Sequence, residues 1–162
     1  MYTCEALLDV SMRSQRSLAQ LIAHCQCLSE EELSREIEGF GYPTIQLQLH
    51  HVISAQRYWI GVLEGRIDID EDEEDYRTAT ALEKFRQEIQ ELTEKHVRGS
   101  SVEVLNTARM MMTWGHHEKL LTPAHVVLRT LMHIYQHQGQ IAAMCRLLEK
   151  PIPPGLDFPL GE

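Results

Sequence analysis

The sequence lacks any apolar run approaching the roughly 18 to 20 residues of a membrane-spanning helix. Its first residues, MYTCEALLDV, contain no basic stretch followed by an apolar one, so no secretory signal peptide is expected. Cations are scarce, since 15 Lys and Arg stand against 24 Asp and Glu for a formal net charge of -9. A protein that binds a phosphate backbone needs clustered cations. We therefore expect a cytoplasmic protein that binds neither a membrane nor nucleic acid.

Paired cysteine motifs are also missing. The four cysteines, Cys4, Cys25, Cys27 and Cys145, form no CxxC pair. Residues two positions apart on a helix, such as Cys25 and Cys27, point about 200° apart. A four-thiolate zinc site or a framework of disulfides is therefore not expected. Free cysteines most often behave as small buried apolar residues, and we expect the same here.

The chain does contain helical periodicity over most of its 162 residues, which is the length of one domain, 1–162, with a sizeable core. The predicted long helices span residues 3–27, 45–64, 80–97 and 123–149. Two short strands around the turn GHHE predict a small β-hairpin before the last helix. The expected fold class is all-α, a four-helix bundle with one short extra helix and this hairpin.

The helix starts follow from capping residues. Ser29 followed by Glu32 is a capping box that opens the short extra helix, and Thr80 followed by Glu83 predicts another at the third long helix. Thr44 is the expected N-cap of the second long helix. Between these lies the acidic run DIDEDEED at 68–75, which we expect to be a solvated loop because like charges repel.

Three of the nine histidines are spaced like ligands of one metal ion. His133 and His137 lie four residues apart on the last helix and so project from one face. His51 borders the apolar stripe of the second long helix, whereas His50 lies on its polar side and is expected to be solvated. Three imidazoles with a vacant fourth position are typical of a catalytic metal site. We expect the others to be exposed; they are His24, His96, His116, His117 and His125.

The segments that carry these histidines resemble the DinB/YfiT-like family. HVISAQRYWI is similar to the second helix of that family, and LTPAHVVLRTLMHIYQHQGQIAAMCRLLEKPIPP is similar to its last helix and tail, with an HxxxHxGQ motif after a Thr-Pro start. The resemblance implies a four-helix bundle that binds zinc or nickel through three histidines. By position these are His51, His133 and His137, the same three residues that the facing argument selects.

The chain departs from the family pattern at two positions. Gln138 stands where the family often has Arg, and Gln56 stands where an acidic residue is frequent. Neither change removes a ligand. Both bear on the charge around the metal ligands, which tunes such sites, and therefore on any substrate carried over from relatives.

The resemblance implies an activity less firmly than a site. Some relatives are S-transferases or isomerases that use low-molecular-weight thiols such as bacillithiol or mycothiol. The leading hypothesis is therefore a metal-dependent thiol S-transferase acting on a small molecule, with Gln140 and Tyr58 around the ligands. No obvious general base accompanies the histidines, which favours a thiol over water as nucleophile. The alternatives are a metal-dependent hydrolase and a non-catalytic bundle whose metal is structural or adventitious.

The last helix is apolar over a wide arc, which predicts a homodimer. The side opposite His133 carries Leu128, Leu131, Tyr135 and Ala142. In a lone bundle this side would face solvent. The alternative is that the short helix and the extended tail, from Pro151 to Leu160, cover it within one chain.

Overall fold

The fold was taken from a computed structural model that describes residues 1–67 and 72–161. The helices are α1 (Cys4–Cys25), α2 (Glu30–Ser34), α3 (Ile45–Leu63), α4 (Ala79–Arg98), α5 (Val102–Asn106) and α6 (Pro123–Leu147), and the strands are β1 (Arg109–Thr113) and β2 (His117–Leu121). The predicted all-α bundle with a short extra helix and a hairpin is confirmed. The long helices α1, α3, α4 and α6 form the bundle, in which α3 packs against both α4 and α6, and α1 packs against the same two helices.

Hydroxyl side chains begin most of the helices. The Oγ1 of Thr44 accepts a hydrogen bond from the backbone N–H of Leu47, as expected for the N-cap of α3. The capping box of α2 is present, with Ser29 and Glu32 bonded to each other's backbone. The predicted capping box at Thr80 is wrong, because Thr78 is the N-cap of α4 and its Oγ1 accepts from Ala81 N.

The hairpin follows a helical turn that the sequence pattern did not reveal. This turn is α5, which Ser101 caps. β1 and β2 pair antiparallel, with Met111 opposite Lys119 and Thr113 opposite His117. Met111 and Thr113 are buried against the bundle, while β2 is almost wholly exposed. The alternation along β1 therefore attaches the hairpin to the bundle through one face of one strand.

The core contains a fully bonded polar network between α1, α3 and α4. Gln15 donates to Gln56 over 2.8 Å, and Gln56 donates to Thr93 over 3.0 Å. Arg86 donates to Gln15 over 3.0 Å and forms an ion pair with Glu83 at 2.7 Å. Buried polar groups are tolerated when each has a partner, and this network meets that condition across three helices.

The C-terminal tail returns across α6 to α1. Gln138 donates to the carbonyl oxygen of Leu156, and the hydroxyl of Ser17 donates to the same oxygen over 2.7 Å. Arg13 donates to the carbonyl oxygen of Pro159 at 3.0 Å. The ring of Phe158 lies 6.4 Å from that of Tyr135. The tail therefore covers part of the α6 face on which the homodimer prediction rests.

The four cysteines are free, as expected, but they are not uniformly buried. Cys25 and Cys145 are fully buried, whereas Cys4 is partly buried and Cys27 is exposed. A hydrogen bond with Cys145, together with burial, raises the pKa of the Cys25 thiol, which is therefore protonated at neutral pH. The expectation of small buried residues holds for this pair and is wrong for Cys27.

Of the acidic run at 68–75, residues 68–71 lie outside the described part of the chain. Asp72–Asp75 are exposed, and a 3-10 turn spans Glu73–Tyr76. Among the helices of the described residues, none is long and apolar enough to cross a bilayer.

Candidate metal centre

The structure brings the three predicted histidines together where α3 crosses α6. His51 comes from α3, and His133 and His137 come from successive turns of α6. One ring nitrogen from each lies within 4.8 Å of the others, and the Nε2 atoms of His133 and His137 are 3.0 Å apart. His137 is buried, while His51 and His133 are partly exposed. The cluster is therefore set into the bundle and open to solvent on one side.

His51 faces the cluster, as expected, whereas the prediction that His50 faces solvent is wrong. His50 is not solvated: it is only 7% exposed, and its ring stacks on Tyr76 at 5.3 Å and on Phe85 at 5.9 Å. The expectation assumes that α3 has one buried face and one solvated face. This helix is instead a central helix, covered by α6 on the His51 side and by α4 on the His50 side.

The orientation of His137 is set by Gln48, one turn before His51 on α3. The side-chain oxygen of Gln48 is hydrogen-bonded to Nδ1 of His137. An amide oxygen only accepts, so Nδ1 carries the proton and Nε2 presents a lone pair to the cluster. The Gln48 amide group is itself held, because its Nε2 donates to Tyr42 O and to Gln140 Oε1, both over 2.8 Å.

This arrangement is the one usually found behind a metal-binding imidazole, whose second nitrogen donates to a protein acceptor. Gln140, predicted to lie around the ligands, belongs to it through Gln48. Gln48 itself was missed from the sequence. Its position three residues before His51 was the signal available, since residues i and i+3 share a helix face.

Tyr42 covers His51 from the loop before α3. The two rings are stacked, with centroids 4.1 Å apart and planes 23° apart, and the Tyr42 ring also meets that of His137 edge-on at 6.1 Å. Tyr42 is 37% exposed, so it lies at the rim of the cluster. Nothing in the segment GFGYP pointed to this role, because a loop side chain has no periodicity from which its direction can be read.

All three imidazoles are neutral at physiological pH. Burial, followed by the neighbouring His137 and His133, lowers the pKa of His51 to about 4. Burial, followed by His137 and Arg129, lowers the pKa of His133 to about 4. Burial also lowers the pKa of His137. A metal ligand must be deprotonated, and these environments provide that form without any change in the bulk pH.

The donor set fits a divalent ion of the zinc type. With zinc–nitrogen bonds of about 2.0 to 2.1 Å, two imidazole nitrogens of a tetrahedral site lie about 3.3 Å apart. The 3.0 Å between the Nε2 atoms of His133 and His137 is close to that value, and the nitrogens of the whole set lie within 4.8 Å of one another. Three nitrogens suit zinc, nickel, copper or iron alike. Metal binding by these residues remains a prediction.

Aromatic side chains and one arginine continue the site along α3 and α6. The rings of Tyr58 and Trp114 are stacked at 3.9 Å, and Trp59 meets Trp114 edge-on at 5.9 Å. The guanidinium carbon of Arg129 lies 5.0 Å from the centroid of the Trp59 ring. Tyr58, predicted as a possible pocket residue, thus contacts this aromatic group.

The side chains at the two positions that depart from the family pattern, Gln56 and Gln138, form their hydrogen bonds with groups other than the three histidines. Gln56 belongs to the buried network with Gln15 and Thr93. Gln138 bonds Ser17 and the tail carbonyl of Leu156. Their hydrogen bonds therefore stabilise the bundle and the tail, and they do not set the charge next to the cluster.

The remaining histidines lie outside the cluster. His116, His117 and His125 are exposed, as expected. His24 is partly buried, and one of its ring nitrogens lies 3.1 Å from the Lys150 carbonyl oxygen. His96, expected on the surface, is partly buried beside Glu64 at 3.7 Å, and burial is the main cause of its lowered pKa.

Comparison with known proteins agrees with this architecture. The family model of the DinB superfamily matches residues 13–141. The fold is similar to that of a crystal structure of a DinB-like protein from Bacillus cereus ATCC 10987, with a TM-score of 0.76 and 16% identity, over 96% of this chain and 99% of that chain. Among curated proteins, none matches this sequence. With the family model matching most of its length, this chain belongs to the DinB superfamily.

Proposed function

We propose that this protein binds a divalent metal ion, zinc or nickel, through His51, His133 and His137, and uses it to transfer a low-molecular-weight thiol to a small electrophile. The observation that carries the proposal is the convergence of three neutral imidazoles with one side open to solvent. Gln48 supports it, since it fixes the tautomer in which His137 can bind an ion.

A divalent ion held by three nitrogens supplies the chemistry, because it lowers the pKa of a bound thiol or water towards neutrality. The protein's own residues fix the ligands: Gln48 orients His137, and Tyr42 holds the ring of His51. In the overall reaction the thiol releases its proton to solvent and its sulfur forms a bond to carbon of the electrophile. The electron pair of the bond that breaks goes to the halide, which departs, or to the oxygen of an epoxide, which stays on the product and takes up a proton from solvent.

The surroundings favour a thiol over water as the nucleophile. Hydrolysis is usually assisted by a positioned carboxylate that removes a proton from water. Within residues 1–67 and 72–161, no carboxylate is hydrogen-bonded or ion-paired to any of the three histidines. A thiol with its lower pKa needs less help from a base, so the transferase is the better match to this site.

The experiment begins with untagged protein, whose metal content is measured by elemental analysis. Chelator-treated protein is then reloaded with zinc or nickel and assayed for consumption of thiol against a panel of alkyl and aryl halides and epoxides. We expect turnover that depends on metal and is lost in His133→Ala. His125→Ala is the matched control, because His125 is an exposed histidine of the same helix.

Two results would contradict the proposal at different levels. A stoichiometric metal without turnover across the panel would rule out the transferase and leave a metal-binding bundle or a hydrolase. A substoichiometric metal, with thermal stability unchanged by chelator, would rule out the metal centre itself. The metal would then be adventitious and the bundle non-catalytic.

A further inference from the structure

Arg129 lies at the edge of the three-histidine cluster. It precedes His133 by four residues on α6 and so projects from the same face of that helix. Its guanidinium carbon lies 5.0 Å above the ring of Trp59, in the geometry of a cation–π contact.

This cation has no acidic partner in the described part of the chain. Arg13, Arg86 and Arg98 each form an ion pair with a carboxylate four or three residues away. Arg129 is exposed and forms none with any described residue, although the protein carries a net charge of -9. Trp59 beneath it is buried, and its indole N–H has no acceptor among the same residues. The guanidinium of Arg129 and the indole N–H of Trp59 are therefore hydrogen-bond donors without an anionic partner among the described residues.

Trp114 extends this group with an open aromatic surface. Tyr58 covers one face of the indole at 3.9 Å with the planes only 9° apart, yet Trp114 remains 59% exposed. The opposite face is therefore available to solvent. A large aromatic side chain exposed beside a polar cluster is typical of a binding surface. The turn between β1 and β2 holds it there.

We infer that Arg129 and Trp114 form a substrate subsite beside the histidines, which takes a small carboxylate with a planar apolar body. The guanidinium fork matches a carboxylate in geometry and charge, and the open indole face matches a flat apolar group. The inference rests on the proposed function only for what happens to the bound molecule, since binding of the carboxylate can be measured without turnover.

The binding experiment compares phenylacetate with phenylacetamide, which differ in charge and little in shape. Calorimetry or saturation-transfer NMR is run on chelator-treated full-length protein, so that a carboxylate cannot be retained by a metal. We expect phenylacetate to bind about tenfold more tightly, as for a charge-assisted pair at an accessible site. In Arg129→Gln the two compounds should bind with about equal affinity.

Two further variants separate charge from stacking. Arg146→Gln removes an equal charge from an exposed position near the other end of α6 and should keep the preference. Trp114→Ala should weaken the binding of phenylacetate and of phenylacetamide by the same factor. The inference is wrong if wild-type protein shows no preference, or if Arg129→Gln retains it.

The carboxylate can belong to either reactant, and turnover by zinc-loaded protein distinguishes the two. The thiol pair is 3-mercaptopropionate and its amide, and the electrophile pair is 4-(chloromethyl)benzoate and its amide. For each pair, the preference for the acid over its amide is measured as a ratio of kcat/KM values. The pair that loses this preference in Arg129→Gln shows whether the thiol or the electrophile carries the carboxylate. Absence of metal-dependent turnover in the wild type contradicts the proposed function alone, because the phenylacetate preference still decides on the subsite. Turnover with both selectivities unchanged in Arg129→Gln contradicts the subsite alone.

Discussion

The side-chain oxygen of Gln48 is hydrogen-bonded to Nδ1 of His137, so the tautomer of a histidine on α6 is determined by a residue of α3. In the contact between His133 and His137, the lone pair on Nε2 of His137 then makes His133 the donor. An ion that takes both Nε2 atoms therefore requires His133 to carry its proton on Nδ1 instead, a change of tautomer that leaves the imidazole neutral.

Gln48 should matter for metal affinity nearly as much as a ligand does. Replacing it with Leu removes the acceptor for His137 and should weaken zinc binding about 10- to 100-fold, the range for such supporting residues. Gln48→Glu keeps an acceptor and should retain most of the affinity. Competition with a chromophoric chelator measures both. Equal affinities for Gln48→Leu and wild type would show that Gln48 has no part in the site.

Replacing His51, His133 or His137 by Ala should each abolish tight metal binding, with a loss beyond the roughly 100-fold limit expected for supporting residues. His50→Ala should keep the metal and instead destabilise the fold, because the buried His50 ring packs against Tyr76 and Phe85. Elemental analysis and thermal unfolding separate the two effects. Loss of metal in His50→Ala with retention in His51→Ala would reverse our assignment.

Acid should destabilise the metal-free protein in a defined window. His51 and His133 have folded-state pKa values of about 4, against an ordinary value of about 6.5. The unfolded state therefore binds more protons between these values, so the free energy of unfolding is fully retained above about pH 6.5 and falls as the pH drops towards 4. Urea unfolding of chelator-treated protein tests this. In His51→Gln the dependence should be shallower, and an identical slope would contradict the assignment.

A ligand that binds only the folded state stabilises it. Zinc at a free concentration 100 times its dissociation constant should add about 2.7 kcal/mol. For a chain of this size that corresponds to a rise in Tm of roughly 5 to 10 °C. The same zinc concentration should leave the Tm of His133→Ala unchanged. A comparable rise in that variant would mean that the ion binds elsewhere.

A homodimer remains our prediction for assembly, although the tail covers part of the α6 face that suggested it. Leu131 is fully buried, and Phe158 lies beside Tyr135. Met132 on the same helix is nevertheless 60% exposed, so apolar surface remains for a partner. Light scattering at low micromolar concentration gives the mass, and a value near 18.7 kDa, the single chain, would contradict the dimer.

The sequence predicted those features that depend on local rules. The spacing of His133 and His137, the caps at Thr44 and Ser29 and the hairpin all follow from interactions within a few residues. The sequence did not predict the features that depend on tertiary packing. His50 was assigned to solvent because helical periodicity does not say how many neighbours a helix has, and α3 has them on several sides. Tyr42, Trp114 and Arg129 depend on loop direction and on helix crossing, which periodicity does not contain.

The division of the cluster between two distant segments bears on how the protein would acquire a metal. His51 precedes His133 by 82 positions (133 − 51). During synthesis the growing chain therefore carries His51 long before His133 and His137 are added. A nascent chain that ends before His137 cannot present all three nitrogens. The full site exists only after α6 has docked on α3. An ion held by the three histidines would then be captured by a folded bundle in which Gln48 already orients His137, with folding first and metal capture second.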